Sequence, residues 1–91
     1  MLTIDGLLDE ILYYNSSNKN SICCIEEMSE LTKVLTKKLR NSPKFNNDIL
    51  LEEVAHVLLM CQVIAKEAGL DANDIFEVQK DAVRRMKADI K

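Results

Sequence analysis

Apolar residues recur along this chain at intervals of three and four, and short polar breaks separate the stretches that do so. Ile4, Leu7, Leu8, Ile11 and Leu12 form one stripe, with Asp5, Asp9 and Glu10 off it, which predicts an amphipathic helix over residues 3–14. Residues 15–20, Asn-Ser-Ser-Asn-Lys-Asn, are polar and read as a linker, with Asn20 or Ser21 able to cap the next helix. That helix is expected over about 21–40, with Cys24, Ile25, Met28, Leu31, Leu35 and Leu39 as its apolar stripe. Lys33, Lys37, Lys38 and Arg40 fill its C-terminal half, where cations oppose the negative end of the helix dipole. Residues 41–46 include Pro43 and end the helix, and Asn46 or Asn47 is a good cap for a third.

The third helix, expected over about 47–68, is the most apolar. Leu50, Leu51, Val54, Val57, Leu58, Leu59, Met60, Cys61, Val63 and Ile64 cover more than one of its faces. A helix apolar nearly all round is buried on several sides, which in so small a chain points to contact with another subunit. Gly69 is a natural C-terminal stop, and Asp71 with Asp74 resembles a capping box for a fourth helix over about 72–89. Ile75, Val78, Ala82, Met86 and Ile90 lie along its apolar side, and Lys80, Arg84, Arg85 and Lys87 populate the remainder. The expectation is one all-α domain spanning residues 1–91.

Composition narrows this further. With 91 residues the chain buries only a modest fraction of its surface, so oligomerisation would help it. Two Gly, one Pro and no Trp leave little material for a turn-rich β fold. A net charge of -3 argues against a nucleic-acid backbone binder, which carries a basic face. Three cysteines without CxxC spacing argue against a disulfide framework and suit a reducing cytosol, so a cytoplasmic location is expected. No segment has the pattern of a signal peptide, and the run from Val57 to Cys61 is far short of the roughly 20 residues that span a bilayer, so no membrane partner is expected.

The chemistry is carried by two short acidic motifs. Glu27-Met28-Ser29-Glu30 lies on the second predicted helix and Glu53-Val54-Ala55-His56 on the third. Each sets two ligand-type side chains three residues apart on one helical face. A short loop joins the helices, so they run antiparallel and can face each other. Three carboxylates and an imidazole then converge, and like charges that close repel unless a cation neutralises them. Taken alone, Glu27 and Glu30 read as a solvated face and His56 as a core histidine. Glu53 is harder to dismiss, because it sits among Leu50, Leu51, Val54, Val57 and Leu58, where an unpaired carboxylate is costly. Carboxylates favour Mg²⁺ or Mn²⁺, and the imidazole tilts the choice toward Mn²⁺. There is no HExxH, no P-loop and no GxSxG.

These motifs resemble the MazG-like all-α nucleoside triphosphate pyrophosphohydrolases, relatives of the dimeric dUTPases and dCTP pyrophosphatases. The segment from Ile25 to Leu31 is similar to the family's EExxEL, and that from Leu51 to Leu58 is similar to its EExxDVL. The likeness runs from about residue 20 to 88. It implies a four-helix-bundle-like subunit assembling as a dimer or tetramer, with subunit contacts completing a nucleotide pocket. Carried over, Glu27, Glu30 and Glu53 match metal-binding carboxylates, Glu26 and Glu52 match acidic neighbours that are less regular in the family, and Glu26, orienting water, and Glu30 are the implied catalytic residues. His56 stands where the family has Asp, which removes one negative charge and should weaken Mg²⁺. In the fourth helix, where members carry Lys and then Asn four residues on, this chain has Gln79 and Val83, with Lys80 and Arg84 one residue along.

The implied reaction is metal-assisted hydrolysis of a nucleoside triphosphate at the α-phosphorus, giving the monophosphate and pyrophosphate. Lys33, Lys37, Lys80 and Arg84 are the candidates for holding phosphates, although a solvated face is the ordinary role for each. Tyr13, Tyr14 and Phe45 are available to stack on a base. Two other readings stand beside this one: a nucleotide-binding protein on the same scaffold, catalytically weak for want of the fourth carboxylate, and a purely structural helical oligomer.

Overall fold

A computed structural model describes residues 4–90, with the side chains of all but residues 4, 5, 14 and 17. It is all-helical, with four helices and no strand among the described residues: α1 (Ile4–Tyr14), α2 (Ser17–Leu39), α3 (Asn47–Glu67) and α4 (Ala72–Ala88). The start expected at residue 3 and the side chains of Ile4, Asp5 and Tyr14 lie outside the described residues.

The largest departure from the polarity pattern is at the start of α2. The polar run over 15–20 is not a linker; most of it is helix, and the cap is Ser16 rather than Asn20 or Ser21. The Ser16 hydroxyl accepts the Lys19 backbone N–H at 3.2 Å. Asn20 is fully buried one turn later, donating from its amide to Glu67 Oε2 at 2.7 Å and accepting from the Asn15 amide at 3.2 Å. These contacts come from α3 and the end of α1, which local sequence does not show. Asn46 caps α3 by accepting the Ile49 N–H at 2.9 Å, and Asp71 caps α4 by accepting the Asn73 N–H at 2.6 Å.

The two central helices end alike. Asn41 takes φ +54° after α2, and Gly69 takes φ +72° after α3. In each case the last carbonyls are satisfied by a paired motif: Ser42 N–H to Lys37 O with Asn41 N–H to Lys38 O, and Leu70 N–H to Ala65 O with Gly69 N–H to Lys66 O. Glycine and asparagine are the residues that enter this left-handed region at least cost.

α2 and α3 form the main packing unit, and α1 packs on α3. The pair is antiparallel: Asn20 meets Glu67 at one end, and Glu27 meets His56 further along. A Lys66 Nζ to Asp9 Oδ1 ion pair at 2.9 Å also ties α3 to α1. Among the described residues the buried apolar ones are Leu8, Cys24, Val34 and Val63. On α2 the face toward α3 therefore includes Asn20, Cys24, Glu27 and Val34. Ile25, Met28, Leu35 and Leu39, which belong to the predicted stripe, are exposed, Leu39 by 84%. On α3, Leu51, Val54 and Leu58 are exposed as well. α4 packs broadly on none of the other helices among the described residues.

This leaves an open molecule. The radius of gyration is 15.9 Å, where a compact chain of this length has about 12 Å. The exposed area is 7479 Å², against about 5,400 Å² for a folded monomer of this mass. The excess is large and much of it is apolar. No helix is long and apolar enough to cross a membrane among the described residues.

Candidate metal centre

Glu27 on α2 meets Glu53 and His56 on α3. Residues 53 and 56 are three apart, so both project from one side of α3, and the antiparallel register brings Glu27 opposite them. His56 Nδ1 lies 3.2 Å from Glu27 Oε2 and 4.0 Å from Glu53 Oε2. One ligand-type atom from each of the three residues falls within 4.8 Å of the others. The side chains are partly sheltered: Glu53 is 17% exposed, Glu27 30% and His56 44%.

Glu53 is the anomalous member. Its Oε2 is buried and has no hydrogen-bond partner among the described residues. Burial pushes its carboxyl above the ordinary range, and the negative charge of Glu27 pushes it further. His56 pulls the other way, while a side-chain contact with Glu27 and the more remote charge of Glu30 add to the rise. With its proton on Nδ1 the imidazole donates to Glu27, which leaves Glu53 Oε2 unanswered. With the lone pair on Nδ1 instead, three acceptors face one another. While Glu53 is ionised the cluster is short of one positive group in either case; a proton on Glu53 or a divalent cation supplies it, and carboxylate oxygens with an imidazole nitrogen are a donor set that fits the cation.

The other residues named from sequence stand apart from this cluster. Glu30 is exposed and pairs with Lys33 Nζ at 3.2 Å; only its charge reaches Glu53. Glu26 is exposed. Lys37 is half-buried ten residues beyond Glu27, about 15 Å along the helix axis. Lys80 sits on α4, paired with Glu77 at 2.7 Å and placed 5.1 Å over the Phe76 ring. Arg84 pairs with Asp81 one turn away. Tyr13 is exposed and Phe45 half-buried, while the Tyr14 side chain lies outside the described residues.

Leu59 and Met60, which the motifs do not single out, join Glu27 and His56 around a cavity of about 160 Å³. Sites for ligands of drug size are roughly 300–1,000 Å³, so this cavity takes an ion with part of a ligand, not a nucleotide. A larger open groove, about 680 Å³, runs along α4 and is lined by Phe76, Gln79, Lys80, Ala82, Val83 and Arg84. The signal that could have found Leu59 and Met60 is the helix register: they come three and four residues after His56 and so share its side of α3.

Comparison with protein-family models, with curated proteins and with solved structures returns no match for this chain.

Proposed function

We propose that this chain is the subunit of a metal-dependent nucleoside triphosphate pyrophosphohydrolase that cleaves an NTP or dNTP to the monophosphate and pyrophosphate. The observation that carries the reading is Glu53 Oε2, buried and without a hydrogen-bond partner among the described residues, beside a second carboxylate and an imidazole. Glu27, Glu53 and His56 would hold Mg²⁺ or Mn²⁺, with Glu30 reaching the site by leaving Lys33. A divalent cation there supplies neutralisation of triphosphate charge and acidification of a water molecule. Lys33, freed by the same movement of Glu30, would meet a phosphate, and Glu26 and Glu30 would be the α2 side chains to take a proton from water.

The reading includes assembly with further copies. The surplus of exposed surface, about 2,000 Å² per chain, is of the size that obligate homodimers bury. The 160 Å³ cavity is too small for a nucleotide without a second wall. The exposed apolar residues of α2, α3 and α4 supply the material for such contacts, and Lys80 and Arg84 would come to a site on another copy.

A nucleotide-binding protein without turnover is the second reading. Two observations favour it: an imidazole replaces the expected fourth carboxylate, and Glu30 is engaged with Lys33. The deciding experiment incubates the purified chain with a panel of NTPs and dNTPs, with Mg²⁺ and separately with Mn²⁺, and measures pyrophosphate. Release that is lost in Glu27→Gln and Glu53→Gln supports the enzyme. Nucleotide-dependent stabilisation without release supports the binder. Neither response, with either metal, refutes both.

A further inference from the structure

We propose that Cys24 and Cys61 are a modification site: a thiol pair that closes to a disulfide between α2 and α3 when the protein meets hydrogen peroxide. The pair needs no nucleotide and no metal, and helix register is what brings it together. Asn20 on α2 contacts Glu67 on α3, and Glu27 contacts His56. Between those two fixed points, the α3 position opposite residue 24 falls at 61, where the chain has its third cysteine.

The chemistry of the two sulfurs agrees with that placement. Burial raises the Cys24 thiol above its usual value, and both the charge of Cys61 and a side-chain contact with it raise it further. Cys24 is buried and Cys61 exposed, so the pair has one accessible sulfur and one sheltered sulfur beside it. This is the arrangement in which an oxidised thiol is resolved by its neighbour. Cys23 is the only other cysteine, and it points about 100° away around α2 from Cys24. No third ligand-type group joins Cys24 and Cys61 among the described residues, so the pair is too few for a zinc or soft-metal site.

The reaction balances without other reactants. The Cys61 sulfur, as thiolate, attacks one oxygen of hydrogen peroxide; an S–O bond forms, the O–O bond breaks, and the departing hydroxide takes up the thiol's proton as water. The Cys24 sulfur then attacks the sulfenic sulfur; the S–S bond forms, the S–O bond breaks, and the hydroxide leaves as a second water with the Cys24 proton. Two thiols have lost two electrons and the peroxide has gained them. The bridge staples the two main helices about one turn from Glu27 and closes a loop that includes the whole α2–α3 connection.

The test uses the full chain treated with hydrogen peroxide, then denatured and assayed for free thiols, with peptide mass mapping. The expected result is a fall from three thiols to one, a Cys24–Cys61 crosslinked peptide within one chain, and a melting temperature higher by about 10 °C or more. A reducing agent should reverse all three. Cys61→Ser, at an exposed position, should fold as the parent does by circular dichroism and show none of them. Retention of all three thiols, oxygen adducts on Cys61 without a crosslink, or a Cys61–Cys61 bridge between chains would each overturn the proposal.

Discussion

Replacing His56 by Asp tests the candidate metal centre at the position where the chain departs from the motif it resembles. The substitution exchanges a neutral donor for a charged one within a few ångströms of Glu27 and Glu53. At 4 Å in water two unit charges interact by about 1 kcal/mol, so a divalent cation gains about 2 kcal/mol from the new carboxylate. The aqueous value applies because His56 is 44% exposed and Glu27 30%. At 1.4 kcal/mol per factor of ten, Mg²⁺ should bind about 30-fold more tightly to His56→Asp than to the parent. The gain for Mn²⁺ should be smaller, because imidazole is already a good ligand for it. Without metal the same change should lower the melting temperature, since the His56–Glu27 contact is replaced by three carboxylates facing one another; added Mg²⁺ should restore it. Calorimetric titration of chelator-treated protein with each ion gives the affinities, and thermal melts with and without Mg²⁺ give the rest. An unchanged or weaker Mg²⁺ affinity in the variant would refute the assignment of position 56 to a cation site.

Glu53 supplies a pH prediction. Its folded-state carboxyl is shifted upward, so the folded protein holds a proton that the unfolded chain releases from about pH 4.3 upward, and stability contributed by that proton is lost as pH rises through the folded value. Melts of metal-free protein across that range should show this fall, and Glu53→Gln should flatten it while abolishing metal-induced stabilisation; a wild-type fall that persists in the variant would assign it elsewhere. Asn20→Ala removes a charge-assisted hydrogen bond to Glu67 worth about 1.5–3 kcal/mol and leaves a void at a fully buried position, so denaturant melts should show a loss of at least about 2 kcal/mol. Gly69→Ala meets no atom of the described residues within 4 Å, so its cost is the left-handed backbone alone, about 1 kcal/mol by the same measurement.

Periodicity and caps were enough to locate the helices. The ends of α2, α3 and α4 are set by Asn41, Asn46, Gly69 and Asp71, whose short side chains or missing Cβ act on their own backbone neighbours. Where a boundary depends on a distant partner, sequence misplaces it. Residues 15–20 are polar, and polar runs read as loops, but Asn20 becomes a helical core residue once Glu67 and Asn15 satisfy its amide. The spacing of Glu27, Glu53 and His56 was legible because a helix turns by a fixed angle per residue. Whether Glu30 shared their side could not be read that way, since its carboxylate has a nearer partner in Lys33.

The chain by itself determined local features: four helices, their caps, and the sets of side chains that share a helical face. The tertiary structure alone decided which part of its apolar surface α2 turns toward α3. α2 directs Cys24 and Val34 inward and leaves Ile25, Leu35 and Leu39 in water. Hydrophobic burial is non-directional, so a helix with a broad apolar surface carries no internal preference for which part of it is covered. Packing between α2 and α3 makes that choice, and the same choice sets Glu27 against His56 and Cys24 against Cys61.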